Sequence, residues 1–137
     1  MKNNIFRIVT GIAGIYHVLL AVIGLLFPIE TMVKAVTIAL GVTLNIDPQL
    51  TFISKFVSVY MLAFGIILLI LAANPVKYRV LAFPVLALFG IRLLNRLIFF
   101  GAVISTFGMT SSRNLIGTAL IFLFFIVILL TMPKKQV

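Results

Sequence analysis

GIRLLNRLIFFG, residues 90–101, sets two arginines and an asparagine inside a run that is otherwise apolar. The run belongs to a stretch, 80–100, long enough to cross a bilayer, because a helix rising 1.5 Å per residue needs about 20 apolar residues for ~30 Å of hydrocarbon. Counted from Val80, Arg92 falls at ~18 Å and Arg96 at ~24 Å of that depth. A charge at such depth costs at least ~2.5–3.5 kcal/mol on insertion scales, and more without a partner or a route to the interface. Arg92, Asn95 and Arg96 lie within about one helical turn and project from one side of this helix. The rest of the chain has to accommodate them.

Working outward, three further stretches reach membrane length: 5–27, 50–73 and 114–132. The expected fold is all-α, an integral membrane four-helix bundle in which residues 1–137 form a single transmembrane domain. Composition agrees, since 64% of the 137 residues are hydrophobic and 9% charged, against about 45–50% apolar usage in soluble domains. The net charge of +9 reflects eleven Lys and Arg against two acids, scattered among the hydrophobic spans with no basic run longer than Lys134-Lys135. That pattern indicates membrane topology and anion attraction; nucleic acid is not an expected partner. Without cysteine, disulfides, iron–sulfur clusters and thiolate chemistry are excluded.

The basic start and the apolar run to Phe27 resemble a signal peptide, but the run exceeds the ~7–15 residues of such a segment, so it is expected to remain as a helix. Four spans place both termini on one side. Lys2, Arg7, Lys77, Arg79, Lys134 and Lys135 fall there, which the positive-inside rule makes cytoplasmic. Lys34, Arg113 and the only two acids, Glu30 and Asp47, fall on the outer side. The expected location is therefore the cytoplasmic membrane of a bacterium-like cell, crossed several times.

In the first span Thr10, Gly14, His17, Ala21 and Gly24 line one face within about 80°, a small-residue seam for close helix contact in lipid. The second span repeats it with Ser54, Ser58, Met61, Gly65 and Ala72. Between them, residues 28–49 are predicted to hold a short helix at the outer interface, with a re-entrant segment as the alternative. Asp47-Pro48 reads as an N-cap and a first-turn proline. Pro84 predicts a kink in the third span. A polar linker, 105–112, ends in Ser111 or Ser112 as cap of the fourth, whose residues 120–130 are entirely Leu, Ile, Phe and Val and face lipid or a partner protein.

The chemistry-bearing residues gather in the outer half. Lys55 sits at a depth close to that of Arg96, so Lys55, Arg92 and Arg96 form a set of cations, and Glu30 and Asp47 are the ion-pair partners available to them. One reading is structural: the cations snorkel or bond loop carbonyls, and the acids staple the long loop. The other is a basic pocket for an anion, with Arg92, Asn95, Arg96, Lys55 and His17 as its ligand-binding residues. Arginine's planar fork suits a phosphate or carboxylate. His17 can ligate a haem or chlorophyll, relay protons, or merely hydrogen-bond a neighbour. No metal site is expected, for want of a second His or a Cys. No catalytic residues are expected either: no paired intramembrane carboxylates, nucleophile with base, or glycine-rich phosphate loop occurs.

Gly24, Leu25, Leu26, Phe27 and Pro28 at the end of the first span, Gly65 in the second and Arg92 in the third resemble the DoxX-like small four-helix membrane proteins of bacteria. The resemblance implies a four-helix membrane fold over nearly the whole chain. Some members are associated with quinone-linked sulfur oxidation, which implies an approach of Arg92 to a quinone or a redox partner. The expected function is that of a non-enzymatic membrane component, an accessory or stabilising subunit or a homo-oligomer, with an outer-leaflet basic pocket for an anionic lipid or quinone-like amphiphile. The alternatives are a small anion transporter or channel and a pigment-binding subunit using His17.

Overall fold

The computed structural model of the chain describes residues 2–133, the side chains of Ala39 and Leu40 excepted. Lys134 and Lys135 lie outside the described residues. The elements are α1 (Lys2–Leu26), α2 (Ile29–Leu40), α3 (Pro48–Ala73), a 3-10 turn (Arg79–Leu81), α4 (Ala82–Ile98), α5 (Phe100–Phe107) and α6 (Ser111–Thr131), with no strand among the described residues. Four segments are long and apolar enough to cross a membrane: Lys2–Leu26, Pro48–Ala73, Arg79–Ile98 and Ser111–Thr131. These are the four spans expected from the sequence.

Local chemistry sets most boundaries. Glu30 in the first turn of α2 favours its positive N-terminal end. Gly41, at φ +65°, ends α2 in the left-handed conformation that glycine adopts without strain. Asp47 caps α3 through a 2.6 Å bond from the Leu50 amide, with Pro48 at the first position. Three expectations need correction. Pro84 is the third residue of α4, where the amide has no intrahelical partner to lose, so no interior hydrogen bond is broken. The third span ends at Ile98 rather than 100: one residue, Phe99, breaks the register, and the apolar stretch beyond it folds into the separate α5. The segment from 105 is helical to Phe107, and the left-handed Gly108 stops it. The cap of α6 is Thr110, 3.4 Å from the Arg113 amide, and neither serine.

α1 and α3 make the most extensive contact in the molecule. Their small-residue seams face each other: Thr10, Gly14, His17, Ala21 and Gly24 are buried on α1, and Ser54, Ser58 and Gly65 on α3. A Cβ added to Gly65 would stand 2.9 Å from the Val18 amide nitrogen and 3.0 Å from the Gly14 carbonyl oxygen, so here backbone packs on backbone. Each helix also caps the other's C-terminal end. Arg7 Nε of α1 donates to Ala72 O at 3.0 Å, and Lys55 Nζ of α3 donates to Leu25 O at 2.9 Å and Phe27 O at 3.0 Å. The two helices run antiparallel, and cations at both ends meet the negative ends of the helix dipoles.

α6 packs against α1 and, more extensively, against α4. The apolar core joins Phe6 and Ala13 of α1, Leu68 and Leu71 of α3, Ala82, Val85 and Phe89 of α4, and Ile121 and Ile128 of α6. These are early positions on α1 and α4 and late ones on α3 and α6, so the core fills the half of the molecule remote from α2. On α6, Asn114, Thr118, Ile121 and Ile128 turn inward while Phe122, Leu123, Leu129 and Leu130 stay exposed. The continuous apolar run of α6 thus serves the core with one stripe only.

Candidate functional site

Where the core stops, toward α2, the helices enclose a cavity of about 510 Å³. Its walls come from α1, α4 and α6, with Ile38 of α2 and Met109 completing it. The polar side chains lining it are Tyr16, His17, Arg92, Arg96 and Arg113, and no carboxylate is among them. Its volume lies within the ~300–1,000 Å³ usual for small-molecule sites.

The arginines are held in different ways. Arg96 Nη1 donates to Asn114 Oδ1 at 2.9 Å, joining α4 to α6. Asn114 is wholly buried and returns its amide toward Phe100 O at 3.4 Å, while Thr118 Oγ1 bonds the Asn114 carbonyl at 2.8 Å. Gly117 clears the space beside them, for a Cβ there would stand 2.8 Å from Arg96 Nη1. Arg113 lies directly against the backbone of Gly41, whose missing side chain leaves room for the guanidinium. Arg92 is exposed and reaches His17 Nε2 at 3.4 Å.

His17 is 5% exposed, its ring edge-on to Tyr16 and Phe64 at centroid distances of 5.4 and 5.0 Å. Nδ1 lies 2.7 Å from Ala13 O, which accepts hydrogen bonds only, so Nδ1 carries the proton and Nε2 presents its lone pair to Arg92. A haem or chlorophyll ligated by His17 would have to take that lone pair from Arg92 and bring its metal beside a guanidinium. These residues do not fit such a ligand.

Of the residues expected to share a pocket, the structure brings together Arg92, Arg96 and His17. Asn95 is exposed and absent from the cavity wall. With Arg92 at the origin, Asn95 and Arg96 lie about −60° and +40° round the helix, and turning Arg96 onto α6 turns Asn95 away. Lys55 is engaged at the end of α1 and does not line the cavity. Glu30 and Asp47 form no ion pair among the described residues; Asp47 is spent on its cap. The third cation of the cavity is Arg113, and the acceptor that steadies Arg96 is Asn114. Both stand in the first turn of α6; the sequence puts Arg113 in an outer loop and Asn114 at the start of the fourth span without joining either to the arginines of the third, and the polar stripe Asn114, Thr118 was the available signal. No protein-family model, curated protein or solved structure matches the chain.

Proposed function

We propose that this chain is a non-enzymatic membrane protein, an accessory subunit or small homo-oligomer of the cytoplasmic membrane, whose basic pocket binds an anionic lipid or quinone-like amphiphile. In this reading the spans form a four-helix bundle with both termini in the cytoplasm, α2 lies at the outer interface and the cavity opens in the outer leaflet. The observation that carries it is the convergence of Arg92, Arg96 and Arg113 on one largely apolar cavity that no carboxylate lines. Uncompensated charge within a span is costly, and an anion supplied from outside removes that cost. The resemblance to DoxX-like proteins is consistent with this reading and extends it to a quinone or a redox partner.

The competing reading is a small anion transporter or channel. It needs an aqueous route from the arginines to the cytoplasm. Beneath the cavity Phe89 and Phe124 stack at 6.3 Å, and Phe64 meets Phe89 edge-on at 5.8 Å. Below them Phe6, Leu68, Leu71, Val85 and Ile128 are at most 1% exposed. This floor supports binding over conduction.

The test is native mass spectrometry of wild-type and Arg92→Leu protein, each extracted with its own lipids in nanodiscs. The wild type should carry a defined anionic or quinone-like mass that Arg92→Leu lacks, at equal helicity by circular dichroism. Equal occupancy by the same ligand in both would overturn the proposal. A co-purifying larger complex would identify the accessory-subunit form.

A further inference from the structure

The cavity is polarised along the helix axes. At the α2 end stand Arg113 and Arg96, one turn deeper Arg92 and His17, and at the far end Phe89, Ile121 and Phe124. Arg113 and Phe124 are eleven positions apart on α6, about 16 Å at 1.5 Å per residue. Charge above and hydrocarbon below is the arrangement of an amphiphile standing in the adjoining leaflet.

Both ends of the cavity are bordered by the protein. Beside its upper end runs the C-terminal end of α2, where Gly41 lies on Arg113 and Ile38 reaches the lining, next to the Thr43 amide bonded to Phe107 O at 2.8 Å. Its floor is the phenylalanine stack described above. The side between α1 and α6 is different. These helices join below through the core, but along the cavity their lining residues Ile12, Tyr16, Ile116 and Leu120 are all exposed. Each pair is four residues apart, forming two parallel apolar edges that face the surroundings of the protein.

We propose that the cavity takes a chain-bearing oxyanion, a carboxylate or phosphate on an alkyl chain, from the bilayer through the gap between α1 and α6. The head sits against Arg92 and Arg96, and the chain runs down along Ile121 to the floor at Phe124. This rests on the reading of the cavity as an anion site. An oxyanion offers the paired acceptors that match a guanidinium fork; a neutral quinone carbonyl leaves the three arginines uncompensated. A short water-soluble anion would leave the apolar lower half of the cavity without an occupant.

The experiment uses the full chain, delipidated and placed in nanodiscs of phosphatidylcholine, with bound mass read by native mass spectrometry. Palmitate and hexadecyl phosphate are titrated against acetate and inorganic phosphate. The chain-bearing probes should reach half-occupancy at concentrations at least tenfold lower than their short counterparts. Leu120→Trp and Ile116→Trp, which crowd the gap from an exposed edge, should weaken them by a similar factor. Leu115→Trp, on the exposed face of α6 turned away from the cavity, should leave them unchanged. Preference for palmitate or for hexadecyl phosphate alone supports the proposal and names the head group. Inorganic phosphate binding as well as hexadecyl phosphate, or crowding variants no different from Leu115→Trp, would overturn it while leaving the anion site standing. Failure of every oxyanion, long or short, would remove the anion site itself.

Discussion

Gly65→Ala adds one methyl group at the closest approach of α1 and α3, and two opposing effects decide its outcome. Alanine gains up to ~1 kcal/mol over glycine in a helix interior. Against this, the new Cβ would lie 2.7 Å from Val18 Cγ2, 2.9 Å from the Val18 amide nitrogen and 3.0 Å from Gly14 O. Two of these are backbone atoms that cannot rotate away, so the helices must separate, and overpacking of this kind costs ~1–3 kcal/mol. The expected net result is a loss of about 1–2 kcal/mol. Gly11→Ala is the same chemical change beside the same α1–α3 contact, but its nearest neighbour is Ala72 Cβ at 3.8 Å, ordinary contact. It should gain ~0.5–1 kcal/mol. Gly14→Ala falls between them, since its nearest contact, 2.9 Å, is the flexible Leu69 side chain, with Gly65 O at 3.1 Å. The assay is reversible unfolding by sodium dodecyl sulfate in mixed micelles, followed by circular dichroism. If Gly65→Ala proved as stabilising as Gly11→Ala, the backbone contact between α1 and α3 would not exist as described.

Further consequences follow from the polar contacts. Asn114→Leu removes the acceptor of Arg96 and should destabilise by about 1.5 kcal/mol, toward the upper end for hydrogen bonds between membrane helices because the donor is charged. Adding Arg96→Leu should recover part of that loss; a further loss of stability in the double variant would refute the pairing. Lys55→Met and Arg7→Met each uncap a helix end, at about 0.5–1 kcal/mol. Because they act at opposite ends of the α1–α3 pair, their effects in the same unfolding assay should add. Asp47→Ala loses the cap of α3, worth about 1 kcal/mol, and should speed hydrogen exchange at the Leu50 amide, whereas Asp47→Asn should retain protection.

The sequence by itself determined the four spans, the helix between the first two, the Asp47-Pro48 start of α3 and the seam residues. Each depends on a period, a length or a cap that neighbouring residues set without reference to the rest of the fold. It also determined that Arg92 and Arg96 require compensation, because burial depth follows from counting residues along a span. Only the tertiary structure decided which polar groups meet. Lys55 and Arg96 share a depth, yet Lys55 belongs to the α1–α3 pair and finds the open carbonyls of α1, while Arg96 faces α6. Asn95 lies about one turn from Arg92 and next to Arg96 in sequence, but the rotation of α4 that brings Arg96 to Asn114 carries Asn95 outside. Arg113 enters the cavity because the left-handed Gly108 ends α5 and the chain turns into α6, bringing its start against Gly41 at the end of α2. Depth and helical phase are local quantities; the partner across an interface depends on how four helices rotate to satisfy one another, and no single stretch of sequence contains that information.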